Sequence, residues 1–119
     1  MILKTIKAKL EEVDSNVFYG MVKRSIRESN WNYVVFDRKL VKSSENKTGY
    51  TYYYRVHIVR EEWIPEGIDI EVINKMLEIE GMKLASTDMQ YTYATKGNTD
   101  TVVEMLTIEF FRAVKKKAA

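Results

Sequence analysis

His57 is the one side chain of this sequence that could exchange protons near neutral pH with its ordinary pKa. Strand alternation places it on the same face as Arg55 and Glu61. A histidine there could act as a general base, but the sequence places no nucleophilic residue at a position that indicates a catalytic pair with it. A polar residue on a half-exposed sheet face is therefore the favoured interpretation, and no catalytic residue is predicted.

Four carboxylates follow closely in the chain, at Glu61, Glu62, Glu66 and Asp69. Paired carboxylates can hold a hard cation or perform acid–base chemistry. Their spacing matches no metal-binding loop, however, and acids near a helix start are favoured by the helix dipole. The sequence has no cysteine, one histidine and five scattered glycines, which exclude thiolate sites, multi-histidine metal cages and phosphate-cradling loops. No metal and no cofactor are predicted.

Apolar residues at helical spacing predict two helices. The first helix is indicated by Ile2, Leu3, Ile6, Leu10 and Val13. The polar run 14–16 ends it, because such side chains bond their own backbone. Asp69 is expected to cap the second helix and Gly81 to close it.

Strand formers predict about five strands, at 17–22, 31–36 with a continuation toward 41, 50–63, 82–94 and 101–114. The resulting order is α-β-β-β-α-β-β in a single domain, 1–119, with a short basic C-terminal tail at 115–119. This order predicts an α+β fold in which two helices pack on one face of an antiparallel sheet.

The net charge of +2 comes from 19 basic and 17 acidic residues. The run Lys115, Lys116 and Lys117 accounts for the whole excess, so the rest of the chain is close to neutral. A nucleic-acid-binding protein would instead cluster its lysines and arginines on one element, so nucleic acid is an unlikely partner. No apolar run reaches the roughly 18–20 residues of a membrane span, so no membrane association is predicted.

Tyrosines are concentrated in the third strand, where four of the eight lie within 50–54. Alternation directs Tyr53 away from Tyr52 and Tyr54. Such rings could pack across strands, anchor a protein interface or stack nucleobases. The near-neutral charge favours the protein interface over nucleic acid.

The polar segment 42–49 is long for a hairpin loop, where two to five residues are usual. Long loops are commonly functional, so we expect this one to contribute to binding. The predicted interaction residues are Tyr53, Arg55, the loop residues Lys42, Ser43, Ser44, Glu45, Asn46, Lys47, Thr48 and Gly49, and the tail residues Lys115, Lys116 and Lys117.

Four segments carry a family resemblance: NVFYGMV at 16–22, WNYVVFDR at 31–38, YYRVHIVRE at 53–61 and KGNTDTVVEM at 96–105. In these segments and in its element order, the chain resembles small virion proteins of tailed phages and prophages. These proteins are variously called minor capsid, tail-completion, tail-terminator or head–tail joining proteins. The resemblance spans nearly the whole chain.

The resemblance implies a non-enzymatic assembly protein with a small α+β fold. Several members form a hexameric ring at the end of the tail tube, where it meets the head connector. The loop between the second and third strands, 42–49 here, often orders or rearranges on joining. The expected partners are therefore further copies of the chain, the tail tube protein and head connector proteins. The expected location is the virion, after synthesis in the cytoplasm of a bacterial host. The alternative is a small nucleic-acid- or ligand-binding α+β module that uses the tyrosine-rich strands.

Overall fold

The computed structural model describes residues 1–22, 30–43 and 48–115. Their elements, in chain order, are α1 (Ile2–Glu11), β1 (Val17–Tyr19), β2 (Tyr33–Ser43), β3 (Gly49–Glu61), α2 (Ile68–Leu77), β4 (Met82–Leu84), β5 (Tyr91–Thr95) and β6 (Val102–Lys115). The strands form one six-stranded sheet in the order β1-β2-β3-β6, and β4 and β5 share the remaining edge of β6. The α+β class is confirmed.

The sheet is mixed, so the prediction of a purely antiparallel sheet is wrong. β1 pairs in parallel with β2, with Val17 opposite Val34. Parallel neighbours need a crossover of about a dozen residues, and residues 20–32 supply a connection of that length. The strand also ends earlier than expected, because Gly20 adopts a φ of 76° and the chain turns there, with the Met21 N–H donating back to the Tyr19 carbonyl at 2.8 Å.

The single strand predicted at 82–94 is two short strands, β4 and β5, so the sheet has six strands rather than five. Between them, the amides of Ala85 and Ser86 both donate to the carbonyl of Glu109. The Ser86 hydroxyl accepts the Glu109 N–H at 2.8 Å. Because both amides converge on one carbonyl and the Ser86 side chain takes the Glu109 N–H, the regular ladder to β6 is interrupted here.

The two helices begin and end partly as expected. The turn after α1 contains the predicted local bond, in which Asp14 accepts the N–H of Asn16 at 2.8 Å. The expected cap of α2 is wrong, because Gly67, with a φ of 95°, occupies the N-cap and Asp69 lies inside the first turn. The helix ends at Leu77, so Gly81 lies beyond it rather than closing it. Among the described residues, no helix combines the length and apolarity needed to cross a lipid bilayer.

Both helices pack against the same face of the sheet, which we call the inner face. Alternation in β3 follows the prediction: Tyr54, Val56 and Ile58 are buried, and Arg55 and His57 lie on the opposite, outer face. The core formed by the inner face and the helices includes Ile6, Leu10, Val34, Phe36, Tyr54, Val56, Ile58, Val72, Met76, Leu106, Ile108 and Phe110. Each such side chain stabilises the fold by about 1.5–3 kcal/mol when fully buried.

The molecule is elongated, measuring 56 Å by 28 Å by 24 Å. Its long axis follows the three longest strands, β2, β3 and β6, which pair in an antiparallel arrangement along nearly their whole length. The short strands β1 and β5 pair only with the half of these strands near Glu61. In the other half, β4 pairs with β6 at 110–112, and beyond that pairing the three long strands project from the body of the domain.

Candidate interaction site

The projecting part forms a three-stranded arm, which we define as residues 38–43 of β2, 49–53 of β3 and 111–115 of β6. At the base of the arm, Phe111 and Arg112 also pair with Lys83 and Met82 of β4. None of the arm residues is buried, and all six from β2 are exposed. The three strands hold each other in register, with Tyr52 opposite both Val41 and Arg112. At the tip, Gly49 lies opposite Lys115, and a Cβ on Gly49 would approach the Val114 carbonyl oxygen to 2.6 Å. The close strand contact at the tip therefore requires glycine.

The outer face of the arm is aromatic, with a lysine above it. Tyr53 lies opposite Leu40 and Phe111, and the Tyr53 and Phe111 ring centroids are 6.0 Å apart. The Lys42 ammonium lies 5.2 Å from the Tyr53 ring centroid, within the range of a cation–π contact. Aromatic residues of this kind are enriched in the cores of protein interfaces.

The arm is also uniformly basic. Its described residues include five bases and no acid, the bases being Arg38, Lys39, Lys42, Arg112 and Lys115. Lys39 forms a 2.6 Å ion pair with Glu109 at the base of the arm. Arg38 donates to the Tyr19 hydroxyl at 2.8 Å, and Arg112 donates to the Glu80 carbonyl at 3.0 Å. Both acceptors are neutral, so these contacts do not neutralise the positive charges. Bases that are dispersed along the sequence thus meet on one projection.

A polar cluster lies next to the arm on the outer face. Arg55 donates two hydrogen bonds to the Asp37 carboxylate, at 2.8 and 3.3 Å. The Nε2 atom of His57 lies 3.1 Å from that carboxylate, and its Nδ1 atom lies 2.8 Å from the Thr107 hydroxyl. The cluster joins β2, β3 and β6 through side chains, in addition to their backbone ladders.

The Asp37–His57–Thr107 chain has the connectivity of a catalytic triad, but its setting differs from that of a hydrolase. Arg55 and His57 lie in the middle of β3, which pairs with β2 on one side and with β6 on the other. The backbone N–H groups of this strand therefore belong to the sheet ladders, whereas an oxyanion hole needs N–H groups aimed at the reacting atom. We interpret the cluster as a side-chain network that holds the base of the arm.

Competing effects set the protonation of Asp37. Burial alone would raise its pKa, but the hydrogen bonds from Arg55 and His57, with their charges, outweigh burial and bring the pKa below its ordinary value. A carboxylate whose pKa is lower in the folded than in the unfolded chain stabilises the fold above the unfolded pKa of about 3.9. That stabilisation is lost as the pH falls through the folded pKa.

Asp37→Asn is therefore expected to destabilise the protein at neutral pH by about 1–2 kcal/mol, because Arg55 and His57 lose a charged acceptor. The difference between variant and wild type should begin to shrink below about pH 4, where the Asp37 carboxylate of the unfolded chain binds a proton, and should be lost as the pH falls through the lower pKa of the folded chain. Urea unfolding at several pH values measures it, with Asp88→Asn, at an exposed position, as the control. A difference that does not change with pH would contradict the charged role of Asp37.

Of the seven predicted interaction residues that the structure describes, five lie on the arm. Lys42 and Tyr53 are in contact, and Ser43, Gly49 and Lys115 lie at or near its tip, with Thr48 directly before β3. Arg55 lies on the same outer face, paired with Asp37. The predictions for Ser44, Glu45, Asn46, Lys47, Lys116 and Lys117 concern residues outside the described part of the chain.

The opposite end of the molecule carries a second surface, of which the sequence revealed only the carboxylates at 61–69 and assigned them to the start of a helix. Segments 61–73 and 88–106 contain eight acids and one base, Lys96, which pairs with Glu61 at 2.9 Å. Large apolar and aromatic side chains are exposed among these acids, led by Trp63 and Tyr93, each 65% exposed. We call this surface the acidic end and define it as Glu62, Trp63, Glu66, Asp69, Ile70, Tyr91, Tyr93, Val102 and Glu104.

Hydrogen bonds join the two segments of the acidic end. The Glu62 N–H donates to the Val102 carbonyl at 2.7 Å, and the Ile64 N–H donates to the Glu104 carboxylate at 2.7 Å. A hydrogen bond to Glu104 raises the pKa of Tyr93, and burial raises the pKa of Tyr91, assisted by the charges of Asp69 and Glu104. The tyrosines therefore lie in a negative environment that the sequence, which places these acids far apart, does not reveal.

Comparison of the chain with models of known protein families gives no match, and comparison with curated proteins gives none either.

Proposed function

We propose that the protein is a structural component of the head–tail interface of a tailed phage or prophage, of the tail-terminator, tail-completion or head–tail joining type. It acts without catalysis or cofactor, by forming a ring of identical subunits, a hexamer, and by docking onto the tail tube and head connector proteins. The projecting arm is the observation that carries this proposal. The resemblance in four sequence segments supports it.

The composition of the arm is that of a contact surface. Leu40 and Val41 of β2 are 38% and 54% exposed. Beyond Phe36, no strand among the described residues pairs with the edge of β2 that faces away from β3. An exposed strand edge invites indiscriminate pairing, and natural proteins commonly block it with lysine. Lys39 and Lys42 occupy this edge, so the faces of the arm, rather than the edge, are suited to specific contacts.

The position of the described residues on either side of 44–47 supports docking at the arm tip. Lys42, Ser43, Thr48 and Gly49 flank the hairpin connection and lie at the far end of the long axis. A contact made there reaches past the body of the domain toward a neighbouring protein. In a ring, tips placed in this way can meet the tail tube on one side or the head connector on the other.

Inactivating the gene in the phage or prophage that encodes the chain tests this proposal. Filled heads and separate tails are expected to accumulate in place of joined particles, and mass spectrometry should detect the protein in purified wild-type virions. A plasmid copy should restore joining, and a copy with Lys7→Glu, an exposed change on α1, should restore it equally. Normal particles from the inactivated strain, with no copy of the protein in wild-type virions, would contradict the proposal.

The basic, tyrosine-bearing arm favours one alternative specifically, a module that binds single-stranded nucleic acid. Aromatic side chains on a basic strand surface can stack bases whatever their sequence. This alternative predicts binding of a labelled oligonucleotide at low salt, a steep loss of affinity with added salt, and loss of binding in Tyr53→Ala. No anisotropy change at low salt would eliminate it.

A further inference from the structure

We propose that the arm of one copy docks onto the acidic end of a second copy, so that the chain associates with itself head to tail. This inference rests on the proposed function, because it identifies the contact by which the ring would form. Its occupant is a second copy of the same chain, and three properties of the two surfaces support it.

The first property is charge complementarity. The described arm has five bases and no acid, whereas segments 61–73 and 88–106 have eight acids and one base. Across all described residues outside the arm there are fifteen acids and eight bases. Opposite potentials at the two ends of one molecule accelerate and orient the encounter of copies in a head-to-tail arrangement.

The second property is that both surfaces display apolar groups to be buried. The outer face of the arm has Leu40, Tyr53 and Phe111, and the acidic end has Trp63 and Tyr93. Beside Tyr93 lies a mainly apolar recess of about 110 Å³, lined also by Tyr33, Val59 and Met105. The recess offers apolar surface against which a side chain of the arm can be buried.

The third property is the distance between the surfaces. β3 begins in the arm at Gly49 and ends beside the acidic end at Glu61, so at about 3.3 Å per residue they lie roughly 40 Å apart. Rigid pairing of the long strands prevents them from meeting within one chain. A contact between different surfaces of identical subunits is heterologous, and it produces a closed ring when the rotation closes.

Charge also disfavours a symmetric contact, in which two copies would join through the same surface. Two arms packed face to face would bring Lys42 and Lys115 of both copies together, and like charges placed opposite each other weaken an interface. The acidic ends repel one another for the same reason. The head-to-tail contact is the combination in which the charges attract.

Mixing two variants tests the proposal. The arm variant combines Lys42→Glu with Tyr53→Ala, and the end variant combines Trp63→Ala with Glu66→Lys; all four side chains are at least partly exposed, so folding should be retained. Each variant alone is expected to be monomeric in light scattering, with self-association about 30-fold weaker or more, as for loss of a hot-spot aromatic. An equimolar mixture should form heterodimers and nothing larger, because it contains one intact arm and one intact end per pair.

Two controls and a salt series accompany the mixture. Lys7→Glu makes the same charge change on α1 and should assemble as wild type, and unfolding curves of both variants confirm their folding. Wild-type self-association should weaken with added salt, because screening acts on exposed charges. A mixture that stays monomeric, an end variant that still forms homodimers, or a wild type that is monomeric at every soluble concentration would overturn the proposal.

The outcome is distinguishable from failure of the proposed function. If the protein is found in virions and its loss leaves heads and tails unjoined, but the mixture forms no heterodimer, then the head-to-tail contact alone is wrong. If the mixture forms heterodimers but gene inactivation leaves particles normal, the contact is supported and the virion function is wrong.

Discussion

Replacing Phe110 by alanine is expected to lower the free energy of unfolding by about 3–5 kcal/mol. Phe110 is completely buried in β6, opposite Tyr54 on one side and Leu84 on the other. Truncation removes the ring from the layer between the sheet and the helices and leaves a cavity there. Because domains of this size are stable by about 5–15 kcal/mol in total, the variant should be partly unfolded at moderate temperature.

The neighbouring residue supplies a matched control. Phe111 follows directly in β6 but lies on the outer face of the arm, half-buried against Tyr53. Phe111→Ala should cost less, about 1.5–2 kcal/mol, because it removes a ring that is only half-buried together with its pair contact to Tyr53. Urea midpoints of the two variants measure the difference between the two faces of the sheet. Equal losses would contradict the assignment of the core to the inner face.

The proposed function predicts that combining Lys42→Glu with Tyr53→Ala in the genome of the encoding phage or prophage reduces the yield of infectious particles nearly as much as gene inactivation does. The substitutions remove a ring and reverse a charge on the outer face of the arm, where the two side chains are in contact. A ring repeats its contact at every subunit boundary, so one defective surface affects all of them. Plaque counts measure the effect.

The same double variant should remain folded, losing about 1.5 kcal/mol or less, since neither side chain belongs to the core. Lys7→Glu, on α1, is the control for the charge change and should give a normal yield. A normal yield from the arm variant would mean that the arm makes no contact needed for assembly. If the double variant proves to be unfolded, its low yield carries no information about the arm. The single variant Tyr53→Ala, once shown to be folded, then makes the comparison.

The sequence predicted those features that depend on local pattern. The stripe that begins at Ile2 forms a helix, and alternation in β3 places Tyr54 and Val56 inward and Arg55 outward as expected. Alternation succeeds because one face of this strand is buried by the helices, so its register is strongly specified. The α+β class follows from these elements.

Features that depend on long-range pairing were not predictable in this way. The partner of β1 is decided by where the chain packs and not by its three residues, so its parallel pairing was missed. A register shift between Arg38 and Leu40 changes which β2 side chains share a face with Tyr53. A shift of one residue moves every later side chain to the other face, so the contact between Lys42 and Tyr53 could not be derived from spacing.

The two charged ends were hidden for the same reason. The bases of the arm come from β2 and β6, and the acids of the other end come from two distant segments. Those two segments are joined by the pairing of β3 with β6 and by the hydrogen bonds from Glu62 to Val102 and from Ile64 to Glu104. The positive charge of the arm and the negative charge of the acidic end nearly cancel in the total charge, although each surface carries mostly one sign. Proximity of Asp37 to His57 likewise appears only once β2 and β3 are placed in register.

Cryo-electron microscopy of purified particles from the encoding phage or prophage tests the central claim most directly. The predicted result is a ring of copies at the junction of head and tail, with arm residues 38–43, 49–53 and 111–115 buried at subunit boundaries. The contrary result is a junction built without this protein, or a ring in which every arm is exposed to solvent.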